Sequence, residues 1–239
     1  MRGATTGAPR RLIGAFGEVL ITIGLLLLLF VSWQLWWTDV TANRDQAVTV
    51  QALERGFRAP PHGGVAGKGS LATLTRVPFG EAFAILRIPR FGAGFARPVL
   101  EGTDHDTLTK GVAHYSGTAF PGQVGNFAVA GHRTTYGKPF SDIDLLKKGD
   151  VMVVETKTSY IVYSVEGHVI VTPDQVEVIA PVPQHPGAKP TQAWMTMTAC
   201  HPRFSASQRY VVFAKLVKRI PRASGLPASF MAVPSGTVG

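Results

Sequence analysis

The sequence predicts a mainly β domain, a closed or nearly closed barrel of about eight strands with short helices, preceded by one N-terminal transmembrane helix. Three observations support this fold class. Short valine-rich runs recur between turn residues across residues 82–216. Glycine and proline number 26 and 17 among 239 residues, which suits a fold with many turns. One long apolar run precedes the domain.

The apolar run covers residues 19–37, and a helix of that length spans about 28 Å, close to the hydrocarbon thickness of a bilayer. Three tryptophans near its end suit a membrane interface, namely Trp33, Trp36 and Trp37. Three arginines precede the run, whereas Asp39 follows it. The positive-inside rule therefore predicts a single-pass cell-membrane protein with a cytoplasmic N-terminus and an extracytoplasmic domain.

The alternative is a cleaved signal peptide, with a small-residue site at Val40-Thr41-Ala42. Apolar cores of signal peptides usually have about 7–15 residues, fewer than this run, so we favour an uncleaved signal anchor. The chain then divides into a cytoplasmic N-terminus (1–18), a transmembrane anchor (19–37), an extracytoplasmic stalk (38–80), a β-barrel (81–220) and a disordered tail (221–239). The stalk has little periodicity, although residues 44–57 could be helical.

The barrel elements follow in chain order. The strands are predicted at residues 83–89, 98–100, 126–131, 151–155, 160–165, 168–172, 176–180, 194–199 and 210–216. A helical turn is predicted at 104–111, with Asp104 as its N-cap and Gly111 at its end. A second short helix is predicted at 139–146. The formal net charge of +9 suits an anionic membrane or cell-wall surface, and no nucleic-acid-binding motif is present.

The chain has one cysteine, Cys200, at the end of the strand that Pro202 terminates. If this strand and the next form an antiparallel hairpin, Cys200 lies near Arg209. Arg203 is also close and is the alternative partner. An unpaired cysteine is unusual outside the cytoplasm, where thiols generally pair. Cys200 is therefore either buried and inert or retained for its reactivity.

Seven histidines could serve as the proton-transfer partner of this thiol. His132 stands out because it closes an apolar strand and leads into a polar turn, which places an imidazole at the rim of the sheet. The alternative is a solvated surface histidine. His201 is adjacent to Cys200, but consecutive strand residues face opposite sides. The others fit structural or surface positions or remain open, namely His62, His105, His114, His168 and His185.

The three side chains suit nucleophilic catalysis. A free thiol has a pKa of about 8.5 and needs a neighbouring base or cation to react as a thiolate at neutral pH. His132 could transfer protons to the leaving group and from the incoming nucleophile. Arg209 stays charged and could stabilise the oxyanion of a tetrahedral intermediate.

Several strings around these residues resemble those of sortases, the membrane-anchored cysteine transpeptidases of Gram-positive bacteria. They are most similar to class E sortases of actinobacteria, and the resemblance covers about residues 83–218. The strings are Thr196-Met197-Thr198-Ala199-Cys200-His201-Pro202, Gly131-His132-Arg133-Thr134-Thr135-Tyr136-Gly137, His114-Tyr115-Ser116-Gly117-Thr118-Ala119 and an arginine, Arg209, that opens the next strand.

The resemblance implies an eight-stranded barrel and a two-step reaction without metal or cofactor. Cys200 would cleave a C-terminal sorting signal of secreted proteins between Thr and Gly, giving a thioacyl enzyme that an amine of a peptidoglycan precursor resolves. The signal expected for class E is Leu-Ala-x-Thr-Gly. Tyr115, Thr198 and Ala199 are implied to bind substrate, although Ala199 stands where the family usually has Thr. Met197 in place of Leu is a mild change.

Two other classes of protein are weighed against this interpretation. Papain-like peptidases place their cysteine at a helix start, and L,D-transpeptidases place it after glycine, whereas Cys200 follows a strand and precedes His201-Pro202. A non-catalytic anchored binding domain with a buried thiol fits the charge and the β-rich composition. It does not explain why Cys200, His132 and Arg209 occur together in these strings.

Overall fold

The structure, a computed structural model, describes residues 7–58 and 76–234. In these residues, one long helix, α1 (Gly7–Arg58), precedes the barrel. One short helix, α2 (His105–Lys110), comes between the second and third strands in the chain. The strands in the described residues are β1 (Ala82–Arg87), β2 (Arg97–Glu101), β3 (Val112–His114), β4 (Gly125–Ala130), β5 (Val151–Glu155), β6 (Ser159–Val171), β7 (Ala193–His201) and β8 (Gln208–Pro221). These eight close a barrel in the order β1-β2-β3-β4-β7-β8-β6-β5, which confirms the predicted fold class.

Strand alternation separates the barrel core from its outer face. In β7 the side chains of Met195, Met197 and Ala199 join the main buried cluster, together with Phe127 of β4 and Tyr163 of β6. The intervening β7 residues therefore face outwards. That outer face is partly covered by a second apolar cluster of Val171, Val178, Val211 and Phe213, against which Trp194 packs.

Two predicted elements take a different form. The strands predicted at 160–165 and 168–172 are one strand, β6, which pairs with β8 along its length and absorbs the irregularity between Val165 and Gly167 as a register shift. The strand predicted at 176–180 is a 3-10 helix, Val176–Ile179. A closed barrel leaves no sheet edge for another strand, and Val178 instead covers the outer cluster.

The helix predicted at 139–146 is also reduced to a 3-10 turn, Ile143–Leu145. Three apolar side chains of this segment are buried, Phe140, Ile143 and Leu146. An irregular backbone allows all three side chains to reach the core. In it, the amide of Ser141 donates to the carbonyl of Lys138, and the amide of Leu145 donates to the carbonyl of Asp142. The three-residue strand β3 was not predicted, because it offers too short a pattern to recognise.

The helix α1 contains the whole predicted membrane span. Its most apolar 18-residue window has a mean hydropathy of 2.4 and contains no buried residue, so length and composition suit a transmembrane segment. The helix continues through the first part of the predicted stalk and packs on the barrel there. Ala42, Gln46 and Val50 recur every four residues and are buried, which is one face of a helix. Residues 1–6 and the stalk residues 59–75 lie outside the described residues.

The described part of the predicted tail is ordered, contrary to the expectation of disorder from its Pro-, Ala- and Ser-rich composition. Strand β8 extends to Pro221, and two 3-10 helices follow, Arg222–Ser224 and Ala228–Met231. Leu226, Phe230 and Met231 pack against a cluster of Val153, Val162 and Ile220 on the outside of the barrel. A few spaced apolar residues thus suffice to attach the tail. Residues 235–239 lie outside the described residues.

Candidate active site

Three neighbouring strands bring the predicted catalytic residues to one end of the barrel. Strand β7 pairs with β8 in an antiparallel ladder that places Cys200 opposite Arg209. Strand β4 pairs with β7 in parallel, with Ala130 opposite Thr198. His132 lies two residues beyond Ala130, as Cys200 lies two residues beyond Thr198, so both residues lie at the same end of adjacent strands. The order across the sheet is therefore His132, Cys200, Arg209.

Cys200 is half-buried, and its thiol is free. Since Met197 and Ala199 face the core, alternation puts Thr196, Thr198 and Cys200 together on the outer face of β7. Antiparallel cross-strand neighbours have Cβ atoms about 5 Å apart, so Arg209 shares this face with the thiol.

The residues implied to bind substrate fall on different faces. Tyr115 and Thr198 are joined by a hydrogen bond of 2.9 Å between their hydroxyl oxygens, next to the strand end that carries Cys200. Ala199 is only 3% exposed and belongs to the core cluster. The methyl group of Ala199 therefore points away from the Cys200 face, so this side chain does not share the surface of Tyr115 and Thr198.

His132 is held by its neighbours at the end of β4. Its carbonyl accepts a hydrogen bond from the Phe140 amide at 3.0 Å, and its ring packs on the ring of Tyr136 at 5.1 Å between centroids. Burial lowers the pKa of His132, and the electrostatic interaction with His105 lowers it further. The Nε2 atom is buried without a hydrogen-bond partner among the described residues. A neutral imidazole with an open nitrogen is suited to accept a proton.

The two candidate arginines have different partners. The Nη1 atom of Arg209 donates hydrogen bonds to the carbonyls of Ala206 and Gln208, each at 2.9 Å, so the guanidinium is held next to its own turn. The Nη2 atom of Arg203 donates to the carbonyl of Ser141 at 2.6 Å and also pairs with carboxylates of that loop. Because Arg203 is engaged by another loop, the geometry favours Arg209 as the arginine beside the thiol.

A polar cluster that the sequence did not reveal joins the ends of β4 and β7 from inside the barrel. Arg133, which follows His132, is 4% exposed and forms a salt bridge of 2.7 Å with Asp144. Its Nη1 atom donates to Nδ1 of His201, the residue after Cys200, at 3.0 Å. Because a guanidinium only donates, the Nδ1 atom of His201 accepts and carries no proton. The ring of Tyr210 lies beneath the Arg133 guanidinium at 5.8 Å.

This cluster was missed because His201 was considered only as a partner for the thiol. The chain order could have revealed it. His132 and Cys200 are each followed by a polar residue, Arg133 and His201, and consecutive residues of an extended chain face opposite sides. Two further histidines among the described residues lie in other surroundings. His114 is 1% exposed and pairs with Glu101 at 2.5 Å, His168 stacks on Tyr210, and His62 lies outside the described residues.

Comparison with known proteins identifies consistent relatives. A family model described as the Sortase domain matches residues 86–217. Sortase SrtE1 of Streptomyces coelicolor is 38% identical over 237 residues, covering 94% of this chain and 62% of its own length. Sortase SrtE2 of the same organism is 33% identical over 215 residues, covering 86% and 82%. The solved structure of sortase E from Streptomyces avermitilis is 41% identical with a TM-score of 0.59, covering 64% and 99%. The chain thus spans about three-fifths of the length of SrtE1.

Proposed function

Since the chain belongs to the sortase family, with class E sortases among its relatives, we propose that it is a membrane-anchored cysteine transpeptidase of sorting signals. Its substrates are secreted proteins with a C-terminal signal of the Leu-Ala-x-Thr-Gly type, which it transfers to an amine of the cell-wall precursor. The observation that carries the proposal is the row of His132, Cys200 and Arg209 at the ends of three adjacent strands.

In the first step, the thiol of Cys200 gives its proton to the open Nε2 of His132, and the sulfur attacks the carbonyl carbon of the signal threonine. Negative charge develops on the carbonyl oxygen, and the fixed guanidinium of Arg209 stabilises it. The Thr–Gly bond then breaks, and His132 returns its proton to the leaving amine of glycine. The product is a thioester between Cys200 and the threonine.

In the second step, an amine enters the same site and gives a proton to the neutral His132. Its nitrogen attacks the thioester carbon, and Arg209 again stabilises the oxyanion. Collapse of this intermediate forms the new amide bond and expels the Cys200 thiolate, which takes the proton back from His132. The low proton affinity that burial gives His132 supports both uses of the ring, because a neutral base must be available at the start of each step.

Tyr115 and Thr198 are the proposed substrate contacts. Their shared hydrogen bond places two hydroxyl groups beside the strand end that carries Cys200. An extended peptide lying along the outer face of β7 could exchange hydrogen bonds with both hydroxyl groups. Ala199 has no part in this surface, because its side chain lies in the core.

We also place residues 19–37 across the membrane, with the N-terminus in the cytoplasm and the barrel outside. The exposed apolar window of α1 supports the span, and the arginines before it support the orientation. The lipid bilayer is then a permanent partner of the chain, and the barrel meets secreted proteins after their translocation.

The decisive experiment compares Cys200→Ala with wild type on a fluorogenic Leu-Ala-x-Thr-Gly peptide. We expect the variant to lose at least about 10³-fold in cleavage rate while its thermal unfolding is unchanged, since only the nucleophile is removed. Ser207→Ala in the exposed β7–β8 loop is the matched control and should cleave normally. Mass spectrometry of wild type with peptide should show an acyl group on Cys200. Full activity of Cys200→Ala would exclude the thioacyl route.

A further inference from the structure

The turn after His132 has an uncommon backbone. Three consecutive residues adopt positive φ angles, Tyr136 at 52°, Gly137 at 77° and Lys138 at 49°. Glycine adopts this region freely, but tyrosine and lysine rarely do. Such a backbone persists where the surrounding structure holds it in place, often next to functional groups. The groups that hold this turn are therefore of interest.

The extramembrane half of α1 supplies most of them. Asp39 accepts a hydrogen bond from the Gly137 amide at 3.2 Å through Oδ1, and its Oδ2 pairs with Nζ of Lys138 at 2.5 Å. The Nε2 atom of Gln46 donates to the carbonyl of Tyr136 at 2.9 Å. Gln46 has no exposed surface, so its side chain is buried in this contact. One helix thus bonds to each of the three residues with positive φ.

The fit between α1 and the turn is close. A Cβ atom at Gly137 would lie 3.0 Å from Oδ1 of Asn43 and 3.1 Å from Nε2 of Gln46, tighter than ordinary side-chain contacts. On its other side the carbonyl of Gly137 accepts a hydrogen bond from Arg97 of β2 at 3.1 Å. The turn is therefore clamped between α1 and the barrel.

The clamped turn contacts the candidate catalytic histidine directly. The ring of Tyr136 packs on the ring of His132 at 5.1 Å and on the ring of His105 at 5.8 Å. A movement of Tyr136 would remove this ring contact from His132. A shift of α1 would therefore move the His132 ring through its contact with Tyr136.

We propose that Asp39 and Gln46 of α1 are positioning residues of the active site. They hold the 136–138 turn so that Tyr136 fixes the His132 ring at the level of Cys200. The inference rests on the proposed function and adds to it that the segment joining the membrane anchor to the barrel is part of the catalytic scaffold. Neither side chain needs to touch substrate.

The test measures kcat and KM of the full chain in nanodiscs with a Leu-Ala-x-Thr-Gly peptide, for Asp39→Ala and Gln46→Met. Asp45→Ala and Gln51→Met are matched controls, since they make the same changes at exposed positions of the same helix. We expect kcat to fall about 10- to 100-fold in the two test variants, with KM within about twofold, because misplacement of a proton-transfer group slows chemistry more than binding. The controls should retain the wild-type kcat.

Asp39→Asn keeps an acceptor for the Gly137 amide while it removes the charge pair with Lys138, so it disturbs folding least. We expect it to retain more of kcat than Asp39→Ala. Wild-type kcat in both test variants, or a loss confined to KM, would overturn the positioning role. A wild-type chain that does not cleave the peptide, or cleaves it without Cys200, would instead refute the proposed function itself.

Discussion

His132 and Arg133 are consecutive, yet their side chains serve opposite sides of the barrel wall. The imidazole of His132 has a buried Nε2 atom without a hydrogen-bond partner among the described residues, whereas the guanidinium of Arg133 bonds to Asp144 and to His201. Cys200 and His201 repeat this arrangement on β7. His132 and Cys200 are thus each followed by a residue that helps to join the two strand ends. The Arg133–His201 bond thus joins the ends of β4 and β7 in addition to the β4–β7 ladder.

The lowered pKa of His132 predicts a dependence of stability on pH. The unfolded chain binds a proton at this histidine near its ordinary pKa of 6.5, whereas the folded chain binds it only at lower pH. Between these two values the unfolded state holds more protons, so the unfolding free energy falls as pH decreases through that window. We expect His132→Gln to lose less stability than wild type between pH 7.5 and 5.5 in urea titrations. His185→Gln, on a surface loop, is the control, and equal losses in all three proteins would contradict the prediction.

The row of candidate catalytic residues was predictable from the sequence because each of its members lies near a strand end. Pro202 ends β7 and fixes Cys200 there, and the next strand brings Arg209 back beside it. The side chain of Ala199 faces away from Cys200 for a simple reason. Adjacent residues of a strand face opposite sides, so Thr198 and Ala199 could not both face a substrate that Cys200 attacks. The Arg133 cluster needed coordinates, since Asp144 comes from a loop whose path the sequence does not specify.

At the scale of elements, apolar residues outside the eight strands cover patches on the outside of the barrel. Val178 lies in a short 3-10 helix and covers Val171, Val211 and Phe213. Phe230 lies in the ordered tail and covers Val153, Val162 and Ile220 in the same way. Strand patterns predicted the barrel itself, because alternation is a local property. The covering segments were predicted as strand or as disorder, since their structure depends on patches that only the folded barrel presents.

Phe230→Ser should therefore destabilise the barrel although its position is close to the C-terminus. Exposure of the patch and loss of the partly buried ring should lower the unfolding free energy by about 1–2 kcal/mol. Urea denaturation followed by circular dichroism measures the change. Val233→Ser, at a position that is 43% exposed, is the control and should stay within about 0.5 kcal/mol of wild type. A Phe230→Ser variant as stable as this control would mean that the tail contributes nothing to the fold.

At the scale of the whole molecule, α1 runs alongside the barrel from the active-site end to the opposite end. Asp39 contacts the 136–138 turn next to His132. Further along the helix, Glu54 pairs with Arg87 at 2.6 Å, and the ring of Phe57 lies under the guanidinium of Arg222, at the far end of β8 from Arg209. The active-site end is therefore the end nearer the apolar part of α1. The sequence predicted the anchor and the barrel separately. It did not predict which end of the barrel lies nearer the apolar part of α1.

Under the proposed membrane placement, this arrangement sets the height of the candidate active site above the bilayer. Asp39 follows Trp37 by two residues, a helical rise of about 3 Å, whereas each interfacial layer of a bilayer is about 5–7 Å thick. With residues 19–37 in the hydrocarbon core, the turn beside His132 lies at the level of the lipid headgroups. A substrate held in the same bilayer by an apolar segment then reaches Cys200 only if its cleavage site is close to the membrane surface.

Insertion of seven helix-forming residues after Thr38 tests this height, because it raises the barrel by about 10 Å and leaves the contacts of Asp39 and Gln46 intact. We expect unchanged cleavage of a soluble Leu-Ala-x-Thr-Gly peptide. The second substrate carries the same signal followed directly by a transmembrane segment, which holds the signal in the same liposome as the enzyme. Cleavage of this tethered signal should fall at least about tenfold, since the raised active site no longer reaches the Thr–Gly bond. The same seven residues appended after Gly239 are the control. Equal cleavage of the tethered signal by the two variants would show that α1 does not set the height at which the enzyme cleaves. Loss of cleavage of the soluble peptide would instead show that the insertion after Thr38 disturbed the active site.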